Sequence, residues 1–105
     1  MTKEEKLQII DDGISSVKEL IELDVAVFLC NHTKVCEIPE IEAWINNYQA
    51  FNGSLAFHHN LFDGKPIEVT DSQQSYSKEK LIMLLEIRRR IENDEPLTIH
   101  ESIFQ

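Results

Sequence analysis

Leu7, Ile10, Ile14, Val17 and Ile21 recur at alternating spacings of three and four. This a/d stripe, two heptads long, constrains the chain more than any other feature. A helix gathers all five residues onto one face. Thr2 and Glu5 form a Thr-x-x-Glu capping box just ahead of the stripe, satisfying free backbone donors at a helix start. Acids follow early, where the helix dipole favours them. Residues 2–23 therefore read as a helix, with Ile9, Leu20 and Leu23 widening its apolar face. Gly13 weakens it by ~1 kcal/mol against Ala, or lets another backbone approach closely. A seam this regular suits a helical bundle or a dimer interface; the plainer reading is an ordinary core face.

Val25 to Cys30 is an unbroken apolar run. Periodicity alone does not separate a buried strand from a helix here. Nothing between Ile21 and Val25 breaks a helix, so one helix over 3–30 is expected, about 42 Å long. Asn31-His32-Thr33-Lys34 is a polar break. Pro39 suits a first helical turn, and a second helix is expected over 39–51. Ile41, Trp44, Ile45 and Tyr48 line one face of it, Phe51 ends it, and Asn52-Gly53 is a stop. Leu55-Ala56-Phe57 and Pro66-Ile67-Glu68-Val69-Thr70 could be two short strands with the turn signal Asp63-Gly64 between them, Pro66 suiting only an edge or first position. Ser77 is placed to cap a third helix over 78–92. Leu81 to Leu85 and Ile87 make that helix apolar nearly all round, so it must be central or shared between subunits. Asn93 to Pro96 ends it. The tail after Pro96 carries Leu97, Ile99, Ile103 and Phe104 and should pack on the body.

These elements specify a mainly α fold: one domain over 1–105, three helices, and a short irregular or β-hairpin segment between the second and third. A chain of 105 residues can bury a sizeable core without staples. The surplus apolar surface leads to the expectation of a homo-oligomer.

Charge limits the partners. Nineteen acidic residues stand against ten Lys and Arg, a formal charge of −9. The acid excess is larger in residues 1–50, which hold four Lys and ten acids, net −6. Such a surface repels phosphates, so direct nucleic-acid binding is not expected; it suits a basic protein partner or, more plainly, solubility alone. No apolar run approaches a membrane span, so no membrane partner is expected. The N-terminus has no apolar signal core and carries Glu4, Glu5, Asp11 and Asp12, which points to the cytoplasm. Cys30 and Cys36 are then expected as reduced thiols unless they hold a metal.

Three groups of residues could carry function. Cys30, His32 and Cys36, with His58 downstream, offer four ligands of the type zinc takes, although their spacing fits no familiar finger. The plainer reading is two structural cysteines and loop histidines, with no cofactor. Arg88, Arg89 and Arg90 could hold a small phosphorylated or anionic ligand. Successive helical residues fan ~100° apart, however, so pairing with nearby carboxylates is the plainer reading. The acids Glu19, Glu22, Asp24, Glu40 and Glu42 could meet a basic partner. The three glycines build no phosphate loop, and no nucleophile elbow is present. The function expected is therefore binding rather than catalysis: a small acidic interaction module that regulates, inhibits or adapts a larger partner. Phage-type and immunity-type inhibitors share this composition, an analogy of composition alone. An oligomeric anion binder and a Cys/His metal protein are the alternatives.

Overall fold

The computed structural model describes residues 1–47, 62, 63, 65, 67 and 75–98. The chain is mainly helical. In order come α1 (Lys3–Glu22), α2 (Leu29–His32), a 3-10 turn (Val35–Glu37), α3 (Pro39–Asn47) and α4 (Ser75–Glu92). No strand occurs among the described residues. Most of the expected hairpin lies outside them, as do residues 48–51 of the expected second helix. Asp63 does sit in a turn, its carboxylate accepting the Lys65 N–H at 2.8 Å.

α1 starts as its capping signal requires: Thr2 Oγ1 accepts the Glu5 N–H at 3.1 Å. Ile10, Ile14 and Val17 of the stripe are buried, while Leu7 and Ile21 are partly buried against the same core. α1 packs along α4, and the two run antiparallel. Lys3 at the start of α1 meets Asp94 just past the end of α4, and Asp11 meets Arg88 farther in. Gly13 lies at this contact. A Cβ there would sit 3.5 Å from Thr33 and 3.7 Å from Leu84, an ordinary packing distance.

The single helix expected over 3–30 does not form. α1 stops at Glu22 because Asp24 takes a left-handed conformation, φ 56°. The Asp24 N–H bonds to the Ile21 carbonyl and the Val25 N–H to the Leu20 carbonyl, the two bonds of a Schellman cap. α4 ends in the same way. Asp94 has φ 56°, its N–H meets the Ile91 carbonyl, and the Glu95 N–H meets the Arg90 carbonyl. Both caps put Asp where Gly is usual, which hides them from a search for glycine stops. Leu23 becomes the cap residue and is 65% exposed rather than part of the apolar face. Beyond the cap the chain is extended, and Val27 and Leu29 enter the core. Ala26 and Phe28 on either side of Val27 are exposed, and at Leu29 the chain has already turned into α2.

Ser77 does not cap α4, which begins two residues earlier. Ser77 lies inside the helix, and its hydroxyl donates to the Val25 carbonyl at 3.1 Å, tying α4 to the extended segment. On α3, Trp44 is buried, stands edge-on to Phe62, and donates from Nε1 to the Leu97 carbonyl at 2.9 Å. Leu97 also packs on the core, so the described start of the tail is held against the body as expected.

Cys30 and Cys36 form a disulfide between α2 and the 3-10 turn. This replaces the two reduced thiols expected from sequence. The short segment between them folds back, bringing their Cα atoms to 5.5 Å, within the range a disulfide bridges. No described helix is long and apolar enough to cross a membrane.

Candidate functional site

The buried stripe of α4 is Ser77, Lys80, Leu84, Ile87 and Ile91, spaced three and four apart like the stripe of α1. Ser77 and Lys80 stand at its N-terminal end, and Glu79 and Met83 are buried beside it. Lys80 is fully buried, and desolvation pushes its ammonium from the usual 10.5 down to about 8, against the opposing pull of Glu79. Meanwhile Ile82 and Leu85 remain 37% and 47% exposed. The helix expected to be apolar all round has therefore turned a lysine inward and two large apolar side chains outward.

Those outward residues line a groove of about 450 Å³ between the C-terminal half of α1 and the N-terminal half of α4. Ile21, Leu81, Ile82 and Leu85 form its apolar surface, and Lys18, Glu22 and Lys78 stand at its edges. From Lys78 to Leu85 it is about 10 Å long at the helical rise, two turns. Long lysine side chains extend such a lining with their methylene stems.

The acids named from sequence separate into two groups. Glu19, Glu22 and Asp24 are exposed together at the end of α1, and Glu22 borders the groove. None of the three makes a side-chain ion pair among the described residues, and the last turn of α1 carries no basic residue. Glu40 and Glu42 lie on α3. Glu40 meets Lys6 at 2.5 Å, about 24 Å back along α1 from Glu22 by the helical rise. Burial works against ionisation of Glu40, but the Lys6 hydrogen bond and charge outweigh it and hold the carboxyl below its usual range.

The arginine cluster is occupied. Arg88 bonds Asp11 at 2.7 Å and Glu92 at 2.5 Å. Arg89 bonds Glu86 at 2.9 Å and Glu95 at 2.6 Å. Arg90 bonds Glu86 at 3.1 Å, donates to the Pro96 carbonyl and lies 4.2 Å over the Phe62 ring. Hydrogen bonding from Arg89, then Arg90, lowers the Glu86 carboxyl against an opposing cost of burial. Hydrogen bonding to Asp11 and to Glu86 raises the Arg88 and Arg89 guanidinium groups, respectively. An anionic ligand at this cluster has to displace carboxylates already in place. A nearby cleft of about 440 Å³ is lined by Lys3, Lys6, Glu40, Asp94 and Glu95. Its two lysines meet Asp94 and Glu40.

Of the four expected metal ligands, Cys30 and Cys36 are bonded to each other, His32 is exposed at the end of α2, and His58 lies outside the described residues. A disulfide offers no thiolate to zinc. No set of three His, Cys, Asp or Glu side chains suited to a metal occurs among the described residues.

Sequence reasoning missed the groove because it read Leu81 to Leu85 as uniformly buried. The signal was available in the pattern: Lys78, Ile82 and Leu85 share one face of the helix, and Ser77, Lys80 and Leu84 another. No protein-family model, curated protein or solved structure matches the chain.

Proposed function

We propose that this chain is a protein-interaction module that binds a larger partner through the α1–α4 groove and thereby regulates, inhibits or adapts it. One observation carries this reading: Ile82 and Leu85 stay exposed on a helix whose inward face has accepted Lys80. An exposed apolar groove with a polar edge is what partner recognition uses. The acidic surface adds long-range attraction for a basic partner. The reading assigns no catalytic residue and no cofactor. It puts the module in an aqueous compartment, either the cytoplasm or an oxidising space in which Cys30–Cys36 persists. Thiol alkylation of protein taken directly from cells separates the two.

Affinity capture with wild type, Leu85→Lys and Glu42→Lys tests the reading. A bound protein should be lost with Leu85→Lys and kept with Glu42→Lys, with helix content unchanged in both. Equal retention by wild type and Leu85→Lys would sink the assignment to the groove. Loss with Glu42→Lys alone would move the interface to α3.

A further inference from the structure

We infer that Cys30–Cys36 is a reversible redox site: a thiol reductant opens the bond in the folded chain, and reoxidation closes it. Neither cysteine lines the α1–α4 groove. The turn that brings the two sulfurs together is held by other bonds. Thr33 donates from both its backbone N–H and its hydroxyl to the Leu29 carbonyl, at 2.9 and 2.6 Å. The Val35 N–H reaches back to Thr33 Oγ1 at 3.3 Å, and the Glu37 N–H meets the Lys34 carbonyl at 2.9 Å. Leu29 and Val35, each one residue ahead of a cysteine, are fully buried. These contacts fix where Cys30 and Cys36 stand whether or not sulfur joins them. A ring closed over a sequence separation of six also removes little freedom from the unfolded chain, so the fold leans on it less than on a bond spanning a long loop.

The bond is open to attack and has a surface to act on. Both cysteines are only partly buried, and Asn31 and Glu37, which follow them, are exposed. Thiol–disulfide exchange needs this access for the incoming thiolate. One glutathione thiolate attacks one of the two sulfurs, making a mixed disulfide and releasing the other cysteine as a thiolate. A second glutathione thiolate attacks the glutathione sulfur of that mixed disulfide, releasing oxidised glutathione and the second cysteine. The two protons lost by glutathione end on Cys30 and Cys36, and two electrons pass to the cystine. Asn31, His32, Thr33 and Lys34, inside the ring, form one wall of a cleft of about 350 Å³. Ile9, Asp12, Gly13 and Ser16 of α1 form the other. Thr33 lies 3.5 Å from the position a Gly13 Cβ would take, so the ring packs on α1 where α1 has no side chain. Opening the bond relaxes this wall and alters the cleft, while Leu29 and Val35 keep the segment in place.

The test titrates the full chain in buffers of reduced and oxidised glutathione, with alkylation and intact mass as the readout. The folded protein should pass from no alkyl groups to two as the buffer becomes more reducing, and return when it is made oxidising. Helix content by circular dichroism should stay the same. Amide NMR shifts should gather at 30–36 and at Ile9, Asp12, Gly13 and Ser16. The double change Cys30→Ser with Cys36→Ser should match the reduced spectrum away from the substituted positions and ignore glutathione. If that variant fails to fold, reduced wild type decides: retained helix content supports the redox site, and lost helix content overturns it. Reduction only after urea is added would make the bond a structural staple and overturn the inference. Two free thiols in every buffer would overturn it as well, since the bond would then not form. Shifts confined to 30–36 would overturn the coupling to α1.

Discussion

The two ends of the α1–α4 pair are built differently. At one end, where α1 begins and α4 finishes, ion pairs cross from helix to helix and Trp44 fastens α3 to the Leu97 carbonyl. At the other, where α1 finishes and α4 begins, Lys80 is buried, Ile82 and Leu85 are exposed, and Lys18, Glu22 and Lys78 edge the groove. Both ends use the same left-handed Asp cap, Asp94 at the first and Asp24 at the second. Local backbone chemistry therefore does not make the difference. One end is crossed by ion pairs, while the other keeps Ile82, Leu85 and the carboxylates of Glu19, Glu22 and Asp24 exposed.

The largest expected effect strikes the closed end. Trp44→Ala removes a buried indole, its edge contact with Phe62 and its bond to Leu97. It should cost about 3–5 kcal/mol, measured by urea unfolding. A loss below ~1 kcal/mol would mean that this end is not held by Trp44.

The next effect lies at the open end. The folded Lys80 has its ammonium lowered to about 8 from the usual 10.5, so between those values the unfolded chain binds more protons. Stability linked to this group is complete above about 10.5 and is lost as pH falls toward 8, in all about 3 kcal/mol. Lys80→Met should remove that portion of the pH dependence, read from chemical unfolding at a series of pH values. An unchanged slope would contradict the burial of an ionising lysine there.

The smallest effect compares the caps directly. Asp24→Gly relieves a left-handed residue and should stabilise the chain by about 1 kcal/mol. Asp94→Gly should give less, because it also removes the exposed Lys3 pair. Thermal unfolding of both variants checks the order, and a larger gain at Asp94 would reverse it.

Much of the fold was readable from local signals. The Thr2 cap, the stripe of α1, Pro39 at the start of α3 and the end of α4 near Asn93 all follow from residue chemistry within a few positions. The fan of arginines at 88–90 was readable too, since helical geometry and nearby acids imply their pairing. The break after Glu22 was not, because Asp can take the left-handed cap but rarely announces it. Neither was the disulfide: whether two thiols meet depends on how the chain folds back between Cys30 and Cys36. The groove was half readable, as surplus apolar surface without a location.

The sequence by itself determined that the chain is helical, acidic and richer in apolar surface than its size needs, because periodicity, caps and charge are local or additive properties. Only the tertiary structure decided which surplus stays outside. When α4 lays Ser77, Lys80 and Leu84 against its neighbours, helical geometry turns Ile82 and Leu85 outward. That rotation is set by packing against distant residues, which no window of sequence contains.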